Sequence, residues 1–493
     1  MRRLLRILRN VVVSLLLGIA VLAGVLAYNT LSHSSRQLQV APLPPQPIDQ
    51  AGAAQRLAEA IRFKTISNFL NPDQAAEPLK ALHAHLAASF PAFHAASSRE
   101  IVGQYSLLYS WQGSDPAAKP IALLAHQDVV PIAPKTEADW SHPPFDGVIA
   151  DGFVWGRGSW DDKGNLYAIM EAAEALAKAG FRPKRTIYFA FGHDEEVSGL
   201  RGAKAIVELL ASRGVKLDFV LDEGLLITDG IMKGLSQPAA LIGVAEKGYA
   251  TLMLTARATP GHSAMPPRET AIGMLAAALT HLEDNRLPME LRGTAAEMFA
   301  TLAPEMSLAN RVVLSNLWLF KPLLMRELAK SAAIEANLRT TTALTVFNAG
   351  EKDNVLPGIA EAAVNFRLLP GDTIGSVTDH VRTTIGNDKI AVSGFPGNFD
   401  PPPVSATDSA AFKALNRTIR EVFPDVVVAP GLMVAATDSR HFSAIADSVF
   451  RFSPVRATGE DLKRFHGTNE RLSITNYADM IRFYQRLLQT TAG

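Results

Sequence analysis

Three short apolar segments of this chain are each followed by a cluster of acidic or histidine side chains. The segments cover residues 120–125, 186–191 and 219–221, and each has the length and composition of a buried strand in a parallel sheet. Helical patterns over residues 165–179 and 202–213 separate them. Strands that alternate with helices in this way predict an α/β fold with helices on both faces of the sheet.

The polar clusters are expected to meet, because functional groups in open α/β sheets collect at the carboxyl ends of the strands. His126 and Asp128 would share one face of their strand, so the Asp128 carboxylate could orient the His126 ring. Any one cluster alone is typical of a turn or a solvated loop. Their repetition crowds acids together, and a pair of divalent metal ions would relieve the repulsion. The clusters are His126-Gln127-Asp128, Gly156 to Gly164, His193-Asp194-Glu195-Glu196, Asp222-Glu223-Gly224 and Phe465 to Glu470.

The composition excludes several other kinds of protein and site. Lysine plus arginine number 48, as do aspartate plus glutamate, so the chain lacks the basic excess that nucleic-acid-binding domains carry. There is no cysteine, so a metal site must be built from His, Asp and Glu. The 493 residues are too many for one compact core and indicate two or more domains.

The first thirty residues predict a membrane anchor. An uncharged apolar run from Val11 to Ala27 would form a helix about 26 Å long, close to the hydrocarbon thickness of a bilayer. The basic flank before it favours the cytoplasmic side, which places the rest of the chain in the periplasm or outside the cell. A cleaved signal peptide is the alternative, but Leu26-Ala27-Tyr28 is a poor cleavage site. The flank comprises Arg2, Arg3, Arg6 and Arg9.

A different pattern begins near Glu246. Strand-like alternation over residues 248–258, followed by a helix, two strands, a helix and a last strand, predicts the βαββαβ order of a ferredoxin-like sandwich. Residues 286–339 add helical sequence to which the pattern gives no role. The predicted organisation is an anchor (1–34), a proline-rich spacer (35–49), an α/β catalytic domain in two parts (50–245 and 399–493) and an inserted α+β lid or dimerisation domain (246–398).

These motifs resemble those of a known family. The likeness rests on residues 124–131 (LAHQDVVP), 155–164 (WGRGSWDDKG), 192–199 (GHDEEVSG), 221–224 (LDEG), 259–263 (TPGHS), 437–440 (TDSR) and 466–470 (HGTNE). From about residue 50 to its end the chain resembles the M20 metallopeptidases, and most of all the branch of carboxypeptidase S and the N-fatty-acyl-amino-acid hydrolases. The resemblance implies a zinc-exopeptidase-like catalytic domain interrupted by a ferredoxin-like lid or dimerisation domain.

The resemblance further implies a metal centre of two zinc ions per subunit. Asp161 is expected to bridge the ions, and the peptide bond between Asp161 and Asp162 is expected to be cis. Glu223 stays open as the alternative to Asp222. The implied ligands are His126, Asp161, Glu196, Asp222 and His466.

Roles in catalysis and substrate binding follow from the same likeness. Glu195 is expected to be the general base that acts on the attacking water, and Asp128 is expected to support His126. His262 is expected to reach the active site of a second subunit and steady the developing oxyanion, which would require a homodimer. Asn354 and Arg367 are the candidates for binding the substrate carboxylate.

The resulting prediction is a membrane-tethered di-zinc hydrolase that cuts an amide bond beside a free carboxylate. Its expected substrates are small peptides or N-acyl amino acids, as for a carboxypeptidase or an N-acyl-amino-acid hydrolase. The alternative from another class is a catalytically silent binding module of the same fold. That alternative predicts the loss of a ligand or of the base, and none is missing from the sequence.

Overall fold

A computed structural model describes residues 2–493 of the chain. The predicted anchor begins at residue 1, which lies outside the described residues, and continues as helix α1 (Arg2–Ser32). Its large apolar side chains are exposed from Leu4 to Leu31. The helix is long and apolar enough to cross a membrane, as a signal sequence also is. An extended segment over residues 33–49 connects it to the body of the molecule.

The next part of the chain alternates strands and helices. Its helices are α2 (Gln50–Ile61), α3 (Ala76–Ser89), α4 (Pro91–Ala96), α5 (Lys163–Lys178) and α6 (Ala203–Ser212). Its strands are β1 (Ser98–Val102), β2 (Ser106–Trp111), β3 (Ile121–His126), β4 (Val148–Ala150), β5 (Phe153–Trp155), β6 (Ile187–Gly192), β7 (Leu217–Thr228) and β8 (Ala239–Glu246). Single 3-10 turns lie at Pro72–Ala75, Glu137–Asp139 and Glu195–Val197.

Residues 248–394 hold a second set of strands and the additional helices. The strands are β9 (Gly248–Arg257), β10 (Gly261–His262), β11 (Thr341–Ala349), β12 (Val355–Leu356), β13 (Ile359–Leu368) and β14 (Ile390–Gly394). The helices are α7 (Ala271–Asp284), α8 (Gly293–Leu302), α9 (Leu308–Ser315), α10 (Leu317–Leu328), α11 (Ala332–Glu335) and α12 (Ile374–Ile385), with a 3-10 turn at Ala303–Glu305.

The C-terminal part returns to the α/β pattern. It contains α13 (Ala410–Val422), β15 (Val427–Met433), α14 (Ser439–Phe442), β16 (Ala446–Ala457), α15 (Gly459–Leu462), β17 (Arg471–Ser473) and α16 (Ile474–Ala492). Strands β15 and β16 join the first sheet, whose order is β1-β2-β6-β3-β7-β16-β8-β15. Strands β6, β3, β7 and β16 run parallel to their neighbours within this group.

Helices cover both faces of the main sheet, which agrees with the predicted α/β class. On one face α2, α5, α13 and α16 bury apolar residues such as Leu57, Leu166 and Leu487. On the other face α6 and α14 contribute Ile206 and Phe442. Every residue of β3 is buried, because a strand covered on both faces has no solvent side.

A separate four-stranded antiparallel sheet has the order β11-β13-β9-β14. Helices α7 and α12 pack on one of its faces and form an apolar core distinct from that of the main sheet. In chain order these elements read βαββαβ, with α8 to α11 inserted after α7. The sheet leaves Val346 and Phe347 of its edge strand β11 exposed. Its use as a lid or a dimerisation surface stays a prediction.

Candidate active site

The predicted polar clusters meet at the carboxyl edge of the main sheet. His126 is the last residue of β3, and its neighbour in β6 is Gly192. The turn that carries Glu195 and Glu196 follows β6 directly. Strand β7 lies on the other side of β3 and brings Glu223 to the same edge. Because these three strands are adjacent and parallel, side chains far apart in sequence become neighbours.

The His126 ring is buried and faces carboxylates through its Nε2 atom. Nε2 lies 3.1 Å from Asp161 Oδ1 and 3.5 Å from Glu223 Oε1. The Nδ1 atom is 3.0 Å from the carbonyl oxygen of Asp128, which fixes the ring's orientation. Burial lowers the pKa of His126, but hydrogen bonds to the surrounding carboxylates raise it well above its usual value.

Asp161 lies between two histidines. Its Oδ1 atom contacts His126, and its Oδ2 atom is 2.7 Å from His466 Nε2. The same His466 nitrogen is 3.3 Å from Glu196 Oε1. Burial alone would raise the pKa of Asp161, but the two imidazoles hold it below its ordinary range. The Asp161–Asp162 peptide bond is cis, as the resemblance implies.

The structure brings Glu223, rather than Asp222, to the histidine and aspartate side chains. Asp222 is buried, and its two oxygens accept the backbone N–H groups of Glu223 (2.9 Å) and Ser439 (2.8 Å). Both oxygens of Asp222 therefore take part in hydrogen bonds to the backbone. Glu223 instead offers a carboxylate oxygen within 4.8 Å of the ligand atoms of His126 and Asp161. Of the two candidates left open on the sequence, Glu223 is the one that lies beside His126 and Asp161.

Asp128 ties the first cluster to the turn after β6. Its carboxylate accepts the backbone N–H groups of Glu195 (3.2 Å) and Glu196 (3.1 Å). One of its oxygens also lies 3.4 Å from His126 Nδ1. A single buried carboxylate thus positions both the ring and the two glutamates.

Glu195 lies beside the metal-binding candidates. One of its carboxylate oxygens is within 4.8 Å of ligand atoms of His126 and Glu196. Burial and the nearby acids, first among them Asp438, raise the pKa of Glu195 well above its usual value, although His126 opposes this. A carboxyl group with a raised pKa is suited to exchange a proton near neutral pH.

A buried ion pair that the sequence did not reveal holds two of the loops together. Arg157 and Glu470 are 2.6 Å apart, and both are buried. The other Glu470 oxygen accepts backbone N–H groups of Gly158, Trp160 and Asp161 at 2.9–3.2 Å. Arg157 also donates to the carbonyl oxygen of His466 at 3.1 Å. The pair therefore fixes the backbone that carries Asp161 and His466, and its members stand inside motifs already recognised in the sequence.

Three of the predicted residues lie away from this group in the described chain. His262 and Asn354 are exposed, and they lie close together where β10 pairs with β12. The backbone N–H of Ser263 donates to the carbonyl oxygen of Asn354 at 3.2 Å. Arg367, on β13, is half-buried, and its guanidinium lies 4.8 Å from the centre of the Tyr249 ring. The structure places none of these three among the carboxylates of the sheet edge.

The donor set fits divalent metal ions. The ligand atoms of His126, Asp161 and Glu223 lie within 4.8 Å of one another, as do those of Asp161, Glu196 and His466. Each group combines imidazole nitrogen with carboxylate oxygen, which is the ligand chemistry that zinc accepts. Asp161 belongs to both groups. Among these residues the acids outnumber the histidines, so a bound cation would balance the charge.

Comparisons with known proteins match the chain to one family. The model of "Peptidase family M20/M25/M40" matches residues 122–490. The chain is 43% identical to the Dictyostelium discoideum protein named "Probable carboxypeptidase S-like 2", over 98% of this chain and 93% of that one. It is 46% identical to the N-fatty-acyl-amino acid synthase/hydrolase PM20D1 of Xenopus tropicalis, over 88% of this chain and 85% of that one.

The fold matches as well. The M20 family metallo-carboxypeptidase Sso-CP2 of Sulfolobus solfataricus superposes with a TM-score of 0.64 at 18% identity, covering 90% of this chain and 99% of that one. Enzymes of this family are metal-dependent and typically use zinc, and the histidine and carboxylate groups at the sheet edge are candidate ligands for it. The family match over three quarters of the chain confirms the resemblance seen in the motifs: the chain belongs to the M20 peptidase family and is a metallopeptidase or amidohydrolase.

Proposed function

We propose that the chain hydrolyses an amide bond beside a free carboxylate, with two zinc ions in each active site. The observation that carries this proposal is the position of Asp161, which is shared between two sets of ligand atoms. One set would be completed by His126 and Glu223, and the other by Glu196 and His466. When bound, such a metal pair supplies a water of lowered pKa and polarises the substrate carbonyl.

Glu195 is the proposed proton carrier. Its carboxylate lies beside His126 and Glu196 but is not needed to complete either ligand set. Its raised pKa favours taking a proton from the attacking water and passing it to the leaving amine. Asp128 supports this step from outside, because it holds the backbone of Glu195 and Glu196 through two hydrogen bonds.

A second copy of the chain would complete the site. His262 is exposed, and the backbone N–H of Ala264 donates to its Nδ1 atom at 3.0 Å, while its Nε2 atom makes no hydrogen bond with the described residues. Met265 and Val355 are also exposed and give the β10–β12 strand pair an apolar surface. These features support a homodimer in which His262 of one subunit stabilises the oxyanion in the other.

The substrate carboxylate would be bound by Arg367 of one subunit and Asn354 of the other, because Asn354 lies beside His262, at the end of the second sheet opposite Arg367. Arg367 is half-buried, and burial together with the neighbouring charge of Arg440 lowers its pKa. Arg440 in turn donates to the carbonyl oxygen of Ser198 at 2.7 Å, directly after the Glu195–Val197 turn. A basic surface therefore runs from the second sheet toward the proposed base, and it suits the carboxylate of a small peptide or an N-acyl amino acid.

The N-terminal helix would tether the enzyme to a membrane with its active site on the extracytoplasmic side. The exposed apolar surface of α1 and the basic residues at its start support this arrangement. Its last turn is packed against the body of the protein, where Thr30 is buried. That packing favours an anchor that stays in place over a leader that is removed.

The test replaces Glu195 with Gln in the purified full-length chain. Metal content by elemental analysis should stay at two ions per chain, while turnover of N-blocked dipeptides and N-acyl amino acids falls by about 10²–10⁴-fold. Glu208→Gln, an exposed change on α6, is the control and should keep full activity. A fully metallated Glu195→Gln enzyme with normal turnover would remove the proposed base.

The same screen separates the enzyme from the silent binding module. The enzyme should lose turnover when a chelator is added and regain it with zinc. If the metallated wild-type chain bound these compounds without cleaving any of them, the binding module would be the better description.

A further inference from the structure

The helices inserted between α7 and β11 contact the end of the N-terminal helix. Asn316, between α9 and α10, is fully buried there. Its amide donates to the carbonyl oxygen of Leu26 and to Thr30 Oγ1, both at 3.3 Å. Its Oδ1 atom accepts from Asn29 at 2.9 Å. One buried side chain therefore bonds to two turns of α1.

Charged and polar groups also cap the C-terminal end of α1. Arg311, on α9, donates to the carbonyl oxygens of Thr30 (3.1 Å) and His33 (2.9 Å). The His33 ring contacts Ser315 Oγ at 3.0 Å and the carbonyl oxygen of Ala300 at 2.9 Å. A helix end has unpaired carbonyls and a partial negative charge, so a guanidinium there satisfies both. The inserted helices thus hold α1 in a fixed place.

Helix α10 starts immediately after Asn316 and has two apolar faces. On the inner face Leu317, Leu324 and Leu328 pack against the core under α8. On the outer face Trp318, Leu319 and Leu323 are 61%, 40% and 56% exposed. No residue of α10 is fully buried. Such a surface is costly in water and indicates a partner.

The position of this outer face indicates what covers it. It begins beside the end of α1, where Tyr28 and Leu31 are exposed as well. The exposed apolar side chains of α10 therefore begin next to the end of a helix suited to a bilayer. Tryptophan and tyrosine prefer the boundary between headgroups and acyl chains, and the exposed Lys321 and Arg326 could reach the headgroups.

We propose that the outer face of α10 lies in the headgroup and acyl-chain boundary of the membrane that α1 crosses. The segment 286–339 is then a second membrane contact, and its bonds to α1 set the orientation of the catalytic sheet relative to the bilayer. This inference rests on the proposed anchoring of α1. It adds an amphipathic helix lying in the interface to one that spans the membrane.

The tryptophans of the chain provide a direct test. Of the five, Trp111, Trp140, Trp155 and Trp160 are buried, and Trp318 is exposed. The full-length protein is reconstituted into phosphatidylcholine vesicles with or without brominated acyl chains, which quench tryptophan on contact. The emission of Trp318 is obtained by subtracting the spectrum of the Trp318→Phe variant from that of the wild type. Brominated lipid should quench this difference emission strongly and should not quench the emission of the four buried tryptophans.

Flotation of the vesicles is measured first, so that failure of the proposed anchor can be distinguished from failure of the proposed contact of α10. A chain that does not float with the vesicles has no anchor, and both proposals fall together. A chain that floats while its Trp318 emission is unquenched keeps the anchor and overturns the contact of α10. A blue-shifted, unquenched Trp318 in a dimeric chain would show that a second copy covers the face instead.

A matched pair of variants tests the apolar contact. Leu319→Ser with Leu323→Ser should shift the Trp318 emission toward that of water and reduce its quenching. Ile149→Ser with Ile101→Ser changes residues of equal exposure, 41% and 56%, on β4 and β1. This control should leave quenching as in the wild type. An equal loss in both pairs would contradict a specific contact.

Discussion

Charge is buried in two ways around the main sheet, and the difference shows where the chain needs a partner. Arg157 with Glu470 and Arg451 with Glu246 are ion pairs of 2.6 Å and 2.7 Å, in which each carboxylate meets a guanidinium of the same chain. At the carboxyl edge, by contrast, Asp161 and the surrounding glutamates meet only two histidines. The pairs are neutral by themselves, and the cluster is not.

The pKa directions in the cluster reflect this excess of acid. Burial and like charges raise the pKa of Glu195 and of Asp162 well above the usual values. Burial also acts to raise the pKa of Asp161, but its contacts with both histidines hold that pKa below the ordinary range. The acids therefore compete for the few positive groups available. Cations that bind only the folded chain would end this competition and stabilise the fold.

The largest effect on metal affinity and turnover is expected from Glu223, the carboxylate that the structure brings to the cluster. Glu223→Gln should lower metal affinity and turnover by more than about 100-fold, because it would remove a proposed charged ligand. Asp222→Asn should cost about tenfold or less, since its oxygens serve two backbone N–H groups. Zinc titration and turnover of both variants measure the difference. The reverse ranking would return the ligand role to Asp222.

A smaller effect on zinc affinity is expected from the ion pair next to the cluster. Glu470→Gln leaves Arg157 buried without a counter-charge, which should lower the free energy of unfolding by about 3–5 kcal/mol. Because Glu470 also accepts the N–H of Asp161, zinc affinity should fall by about 10–100-fold. Denaturant unfolding and chelator competition measure the two quantities. Unchanged zinc affinity would show that the pair only stabilises the fold.

The second buried ion pair, which lies outside the candidate ligand groups, sharpens the comparison. Arg451→Met leaves the Glu246 carboxylate buried and should also lower the free energy of unfolding by about 3–5 kcal/mol. Neither residue belongs to the candidate ligand groups, so zinc affinity should stay as in the wild type. The same unfolding and competition measurements apply. A loss of zinc that matches Glu470→Gln would mean that both pairs serve the site.

The sequence predicted most of this edge because its residues follow apolar strands. His126, Glu195 and Glu196 come directly after β3 and β6, and the parallel order of those strands brings them together. The choice between Asp222 and Glu223 depends on finer geometry. Asp222 pairs with Arg451 but Leu225 pairs with the next residue, Phe452, so Glu223 and Gly224 form a bulge in β7. A bulge re-aims side chains, and simple alternation does not reveal it.

The segment 286–339 was beyond sequence reasoning for a different reason. Its helices pack on α1 and on β15, which are about 280 residues before α9 and more than 100 residues after it. Local periodicity indicates that such helices form, but not which distant surface they cover. The ion pair of Arg157 and Glu470 likewise joins positions 313 residues apart.

The smallest effect is expected at Lys247, whose buried amino group has no carboxylate partner in contact. It connects β8 to β9, and its ammonium donates to the carbonyl oxygens of Ala336 and Arg339, both at 2.8 Å. Burial, reinforced by the charge of Arg367, lowers its pKa from 10.5 to about 7.

Between pH 7 and 10 the unfolded chain therefore binds a proton at Lys247 that the folded chain does not, and this residue's contribution to stability rises with pH. The slope is at most about 1.4 kcal/mol per pH unit. Lys247→Met should remove that rise in urea unfolding at pH 7, 8 and 9, whereas Lys413→Met, an exposed change on α13, removes a charge from the surface and serves as the control. Equal changes of slope in the two variants would mean that Lys247 is not held in the way its surroundings indicate.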